Sequence, residues 1–308
     1  MLKIGIQSSS WFDEKDPLAS LTFFRSCGFD AIDYNIDAHL RPGVLAKWEH
    51  ENYTSLFDKT PGELFAYYTP LKEAIEKTGV TVDQMHAPFY VWMPGKDKLN
   101  DYVMMAIKKC MAVCHFLGCP ALVVHPTLRE KEGDEYEFNK EIYRKLIPEA
   151  QKYGVKVCLE NIFSRYGSRM IEGRLSDADV AARMIDELNA EAGMDAFGFC
   201  LDVGHANLTR KHLKKFIETL GRRLSILHIH DNDGDADLHM IPYTYLQDGS
   251  TTVADWDGLV EGLKSIGYQG TLAFEVFRIY TAFPKEVHAE ALRLVSAIGK
   301  AWAKRIEE

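Results

Sequence analysis

Eight short apolar runs punctuate the sequence, at residues 3–7, 31–36, 82–88, 121–126, 156–162, 197–203, 224–231 and 271–277. Most are continuously hydrophobic rather than alternating, as expected of parallel strands covered on both faces. The stretches between them have helical period, for example 101–117, 140–153, 177–188 and 256–266. Gly28, Gly79, Gly118, Gly154 and Gly267 stand just before the next run. That is the place past a helix's last turn where a left-handed backbone favours glycine. Eight strand–helix units predict one (β/α)8 TIM barrel, with residues 1–308 forming a single domain. A doubly wound open sheet would carry a glycine-rich phosphate loop after its first strand. Here that position reads S-S-S-W-F.

At 308 residues, 46% hydrophobic and 26% charged, the chain has the composition of a soluble globular protein. Its formal charge of −9 and lack of a dense Lys/Arg run argue against a nucleic-acid partner. None of the six cysteines forms a C-x-x-C pair. Cys158 and Cys200 lie inside apolar runs, and Cys110 and Cys114 lack a matching second pair, so a zinc ribbon is not expected. No stretch approaches the ~20 apolar residues needed to span a bilayer. The opening M-L-K-I-G-I-Q has no apolar run of signal-peptide length, so a cytoplasmic protein without a membrane partner is expected. Two long connections, 37–62 with Trp48, Tyr53 and Phe57 and 240–254 with Tyr243 and Tyr245, read as lids or binding loops. A shorter aromatic loop, Phe89-Tyr90-Val91-Trp92, follows the third run. Exposed aromatic rims of this kind are compatible with a homo-oligomer.

Polar residues fall at the ends of the apolar runs. The third ends in His86, the fourth in His125 and the fifth in Glu160-Asn161; Asp202 with His205 follows the sixth, His228 and His230 the seventh, and Glu275 the eighth. In a closed barrel these ends share one rim. Any single histidine there could be a hydrogen-bonded core residue. Carboxylates at the ends of apolar strands are harder to explain that way, because a buried unpaired charge is costly. Glu160, Asp202 and Glu275 would repel one another unless a cation stood between them.

With one imidazole, those carboxylates form a set suited to one Mn, Co, Mg or Zn ion. The ion could act as a Lewis acid on a carbonyl and stabilise the enediolate formed when a neighbouring proton is removed. Glu160 and Glu275 are placed to act as proton donor and acceptor on a small carbohydrate. His86, His125, His205 and His228 are candidate substrate contacts. Period two turns His228 and His230 to the same side, so spacing does not say which one is the ligand.

The motifs H-A-P-F, V-H-P, L-E-N, L-D-V-G-H, H-I-H-D-N-D-G-x-x-D-x-H and F-E, in that order, resemble the xylose isomerase-like barrel superfamily. That group contains sugar and sugar-phosphate isomerases and epimerases together with endonuclease IV. The resemblance spans essentially the whole chain. By the 3-epimerase pattern, Glu160, Asp202, His230 and Glu275 hold the metal, the two glutamates are the acid/base pair, and His205 contacts substrate hydroxyls. Two departures stand out. Ketose 3-epimerases carry a second Glu and an Arg where this chain has Tyr166 and Ala236, and the G-x-G-x-I-D-W of many relatives is replaced by D-G-S-T-T-V-A-D-W.

The resemblance therefore implies a metal-dependent sugar or sugar-phosphate isomerase or epimerase. A lyase on a keto-sugar or keto-polyol, acting as dehydratase or aglycone eliminase, uses the same proton abstraction and is one alternative. The other is an endonuclease IV-like zinc phosphodiesterase, for which His86 and His125 would join a first zinc and His205, Asp237 and His239 a third. In the sugar reading, Asp237 and His239 mark a possible second metal or substrate loop.

Overall fold

The computed structural model describes residues 1–45, 54–128, 134–245 and 253–308. Trp48, Tyr53 and most of the D-G-S-T-T-V-A-D-W segment lie outside them. All eight apolar runs form parallel strands. These are β1 (Ile4–Gln7), β2 (Ala31–Tyr34), β3 (Thr81–His86), β4 (Ala121–Val123), β5 (Lys156–Glu160), β8 (Phe197–Asp202), β9 (Leu224–His228) and β10 (Leu272–Phe274). Their order around the sheet is β10-β1-β2-β3-β4-β5-β8-β9. The last gap closes through Ile229, whose N–H donates to the Ala273 carbonyl at 2.9 Å and whose carbonyl accepts from Glu275 N–H at 2.9 Å. The result is a (β/α)8 barrel.

Each strand leads through a helix to the next, and the strands are short because the polar residues that end them turn the chain outward. Every residue of β1, β2, β4 and β8 is buried, as continuous hydrophobicity demands of strands enclosed on both faces. One hydrophobic core runs from Leu2 to Ile306 and joins the strands to the outer helices. Gly79, Gly118 and Gly154 end their helices with φ of +70°, +74° and +63°, conformations that would strain a residue bearing a Cβ.

Two sequence expectations change, and one further element is present. The predicted helix 140–153 is two helices, Glu135–Arg144 and Ile147–Tyr153. Pro148, lacking an N–H, sits in the opening turn of the second, where it is tolerated, but it would break a continuous helix. Beyond β5 the chain forms an antiparallel hairpin, β6 (Phe163–Tyr166) and β7 (Arg169–Glu172), turned at Gly167 with φ +61°. Alternation there is poor, but Gly-Ser between two short runs is a hairpin signal. Finally, Phe57 of the expected lid loop is fully buried, on a 3-10 turn Leu56–Asp58.

The start of β8 is held by one side chain. Asn189, on the helix Ala178–Ala192, accepts from the N–H groups of Ala196 (2.9 Å) and Phe197 (2.8 Å) and donates to the Phe197 carbonyl at 3.0 Å. Asn189→Ala leaves these backbone groups without their partner. It should lower the unfolding free energy by about 1–3 kcal/mol, as read by urea titration, and loosen the strand that carries Asp202.

Candidate metal and substrate site at the barrel mouth

The barrel brings all the candidate residues to the carboxyl ends of its strands. Glu160 closes β5, Asp202 closes β8 and His228 closes β9; His230 follows two residues later and Glu275 directly follows β10. Asp202 and His230 are fully enclosed, while Glu160 and Glu275 reach a cavity of about 490 Å³ whose lining also includes Gln7, Arg41, His86 and His125. The enclosed pair is therefore the floor and the two glutamates are walls.

Both strand-seven histidines face inward, as period two requires. His228 Nδ1 stands among the three carboxylates, 3.3 Å from Glu160 Oε1, 3.6 Å from Glu275 Oε2 and 4.0 Å from Asp202 Oδ2. Its Nε2 lies 3.1 Å from Asp33 Oδ2. His230 Nε2 lies 3.1 Å from Asp202 Oδ1, and its potential ligand atom is within 4.8 Å of those of His239 and Glu275. Glu160, Asp202, His230 and Glu275 therefore border one small volume, with His228 directly against it.

Two groups flank this centre. On one side His86 Nε2 and His125 Nε2 point at each other at 2.8 Å, and His125 Nε2 lies 2.7 Å from Glu160 Oε2. On the other side His205 and His239 direct Nε2 toward Asp237 Oδ2, at 3.6 and 3.1 Å. Both rings are oriented from behind: His205 Nδ1 donates to the Asn161 carbonyl at 2.9 Å and His239 Nδ1 to the Glu275 carbonyl at 3.1 Å. A carbonyl partner fixes Nδ1 as the protonated nitrogen and leaves Nε2 for the site. His239 reaches this pose with φ +48°, a left-handed backbone that costs a non-glycine residue about 1 kcal/mol. There its ring stacks on His230 with centroids 3.9 Å apart.

Local folding follows from the L-D-V-G-H motif. Asp202 is both the last strand residue and the N-cap of the helix Val203–Leu208, its Oδ1 accepting from His205 N–H at 2.6 Å. Asn161 joins β5 to β8 by accepting from Asp202 N–H and donating to the Asp202 carbonyl, both at 2.8 Å. Gly204 lies flat against His230, and a Cβ there would stand 1.8 Å from the ring's Cε1.

Electrostatics separates the two glutamates. Burial pushes Glu275 up to about 7. Burial also acts upward on Glu160, but the charges of His125 and His228 overcome it and hold the carboxyl well below the usual range. His205, His228 and His230 are raised despite their burial: His205 and His230 by Asp202 first, His228 by the carboxylates of Glu275 and Glu160 that surround it. His86 moves the other way, to about 3, because it is buried beside two other imidazoles.

A divalent ion fits this donor set. His230 Nδ1 and, beside the centre, Asp237 Oδ1 are buried without a hydrogen-bond partner, a cost that a ligated ion or substrate would remove. Carboxylate and imidazole donors suit Mn, Co, Mg or Zn. The one neighbouring thiol, Cys200, is held protonated by burial. Sequence reading had overlooked two contributors. Gln7, ending β1, donates through Nε2 to Glu275 Oε1, and Asp33 backs His228. Gln7 ends its strand, where the rule applied to the other six strand ends would have found it, whereas Asp33 lies inside β2 and is marked only as a charged residue in an apolar run. Arg165, Arg169 and Arg278 are exposed, and the guanidinium lining the cavity is that of Arg41.

This chain belongs to the xylose isomerase-like TIM barrel family, whose model matches residues 21–298. Within that class, three solved structures are similar in fold. One is the 3-keto-D-glucoside 4-epimerase YcjR of E. coli, with TM-score 0.68 and 19% identity over 98% of this chain and 100% of that one. Another is an L-ribulose 3-epimerase, with TM-score 0.70 and 17% identity over 100% and 96%. The third is a D-allulose 3-epimerase from Methylomonas sp., with TM-score 0.65 and 16% identity over 99% and 96%. Among curated sequences, the uncharacterised protein y4fM of Sinorhizobium fredii is 25% identical over 190 residues. That alignment covers 60% of this chain and 58% of y4fM, so the chain spans less than two thirds of that relative's length.

Two outcomes follow from this geometry. Gly204→Ala should push the His230 ring aside and weaken divalent-ion binding at least tenfold, read by calorimetric titration, with the far-ultraviolet circular dichroism unchanged. The second concerns protons. Glu275 (about 7), His205 and His228 hold protons in the folded, metal-free protein that the unfolded chain has released above pH 6.5. Raised groups lose their stabilising contribution as pH rises. The melting temperature in chelator should therefore fall between pH 6.5 and 8.5. Ion binding at pH 7 should release protons, seen as a dependence of the calorimetric heat on the buffer.

Proposed function

We propose that this protein is a divalent-metal-dependent isomerase or epimerase of a keto-sugar, moving a proton at a carbon next to the carbonyl. The observation that carries this reading is the pair Glu160 and Glu275. They come from strands three places apart around the barrel, line one cavity, and have opposed proton affinities. Two carboxyls whose environments push their pKa values apart are suited to acid and base roles. The three similar epimerases support the substrate class, since L-ribulose, D-allulose and a 3-keto-glucoside are all keto-sugars.

Glu160, Asp202, His230 and Glu275 would hold the ion, with His228 as the neighbouring imidazole. Once bound, the ion would supply positive charge to the oxygen that gains electron density as the proton leaves. Glu160 would take the proton from one face of the carbon, and Glu275, on the opposite wall of the cavity, would return one to the other. Gln7 fixes the Glu275 carboxyl through its amide. His86, His125, His205 and Arg41 line the cavity as donors to hydroxyls. Phe89, Phe163 and Phe277 complete the wall and limit water at the reacting carbon.

The same proton abstraction serves a lyase if a leaving group sits one carbon further on. The His86–His125–Glu160 and His205–Asp237–His239 groups favour a second reading, a zinc phosphodiesterase with several ions. One ion per chain supports sugar chemistry; two or three per chain support phosphodiester cleavage.

The direct test is deuterium incorporation into a panel of ketoses and 3-keto-glucosides in D2O with Mn, Co, Mg or Zn. Exchange with epimer or isomer formation is expected, and an elimination product would assign the lyase. Glu160→Gln and Glu275→Gln should each lower turnover by about 10²–10⁴-fold with the melting temperature nearly unchanged. An active, metal-replete double variant would overturn the assignment.

A further inference from the structure

A second cavity of about 440 Å³ adjoins the first and shares Phe89, His125 and Ile162 with it. Its character is different. The walls are Tyr90, Trp92, Met93 and Leu128, and two of these large apolar side chains are markedly exposed, Tyr90 by 54% and Leu128 by 47%. Exposed apolar surface at a concave site marks a place where a ligand gains by binding.

The wall is also built rather than loose. Asn100 clamps the aromatic loop by accepting from Met93 N–H and donating to the Met93 carbonyl, both at 2.8 Å, while Thr127 Oγ1 donates to the Trp92 carbonyl at 3.2 Å. Among the described residues, the Arg or Lys side chain that lines this space is Arg174. Its Nη1 donates to Ser164 Oγ at 2.9 Å. Its Nε is buried without a hydrogen-bond acceptor, the nearby Glu135 Oε1 being 3.7 Å away. Ile162 N–H donates to the Arg174 carbonyl at 2.9 Å, tying the guanidinium to the shared boundary.

We propose that this cavity is a subsite for the non-sugar part of the substrate: an aromatic aglycone carrying an acceptor oxygen that reaches Arg174 Nε. The proposal rests on the reading that the first cavity takes the sugar. A free keto-hexose held over Glu160 and Glu275 would leave the second cavity empty and its apolar walls wet. A phosphate is disfavoured there, because among the described residues a dianion would meet the Glu135 carboxylate beside one guanidinium within a mostly apolar wall. A planar ring matches the walls, and one acceptor matches the one unsatisfied donor. The intact substrate is then a keto-glycoside, and the bond joining sugar and aglycone passes between Phe89, His125 and Ile162.

The test compares binding of methyl, phenyl and 4-nitrophenyl glucopyranosides, both anomers, to the metal-loaded protein by calorimetry. Burying a phenyl ring should tighten binding at least about tenfold over methyl, and the nitro group should add a further gain. Leu128→Asp and Tyr90→Ser, both at exposed positions, should remove the phenyl gain. Arg174→Lys should remove the nitro gain and keep the phenyl gain. Equal affinities for the three ligands, no binding of any of them, or an aryl gain that survives both wall substitutions would overturn the subsite. Loss of the aryl gain with deuterium exchange into free ketoses intact defeats the subsite alone. An aryl gain with no exchange into any keto-sugar defeats the reaction and leaves the subsite standing.

Discussion

The structure depends on the placing of carboxylates where water is scarce. Asp33, Glu160, Asp202, Asp237 and Glu275 meet within one end of the barrel, and an unpaired buried carboxylate would cost several kcal/mol. Imidazoles interleave with them, and in the metal-free protein His205, His228 and His230 are pushed toward the protonated form and supply the missing positive charge. A divalent ion supplies the same charge without those protons, so occupancy and protonation are two solutions to one electrostatic demand. The backbone is arranged around it. Asn161 locks β5 to β8, Asp202 caps the helix that carries His205, and Asn232 donates from Nδ2 to the Gly204 carbonyl at 2.9 Å, holding the glycine that faces His230.

Much of this was legible in the sequence because a parallel barrel writes its architecture simply. Strands covered on both faces are apolar throughout, so their polar ends stand out, and residues 156–162 or 197–203 can be read for strand and site together. What was not legible depends on contacts that sequence distance hides. Gln7 and Glu275 are adjacent because β1 pairs with β10. Nothing local marks Gln7 as a partner of the last strand's carboxyl. Gly204 reads as a turn residue, whereas its role is the flat contact with a ring 26 positions later. Spacing alone also leaves the roles of His228 and His230 open, because period two places both inward; it is the resemblance that selects His230 as the ligand.

The size of a cavity does not choose the site. A larger one, about 750 Å³, opens at the amino end of the barrel between Met1, Lys3, Asp83, Arg222 and Glu307. Most of its charges are already paired: Lys3 with Asp83 at 3.1 Å, and Met1 with Glu307 at 3.1 Å. Thr271 Oγ1 donates to Asp83 as well. Paired, solvent-bathed charges hold nothing in reserve for a ligand. At the carboxyl end the unsatisfied atoms are buried and converge, and this difference makes the smaller cavity the chemical one.

The two departures from the ketose 3-epimerase pattern then have a shared structural meaning. Position 166, where those enzymes carry a second glutamate, lies at the turn of the β6–β7 hairpin, and Tyr166 is 78% exposed with its side chain away from the cavity. Position 236 carries only a methyl group in place of an arginine. Neither position therefore supplies a polar side chain to the cavity that Glu160 and Glu275 line. On the side bounded by Ile162, just ahead of that hairpin, the first cavity adjoins an apolar space that the half-buried Arg174 guanidinium lines. A substrate that is a sugar at one end and a ring at the other uses what is present and does not need what is absent.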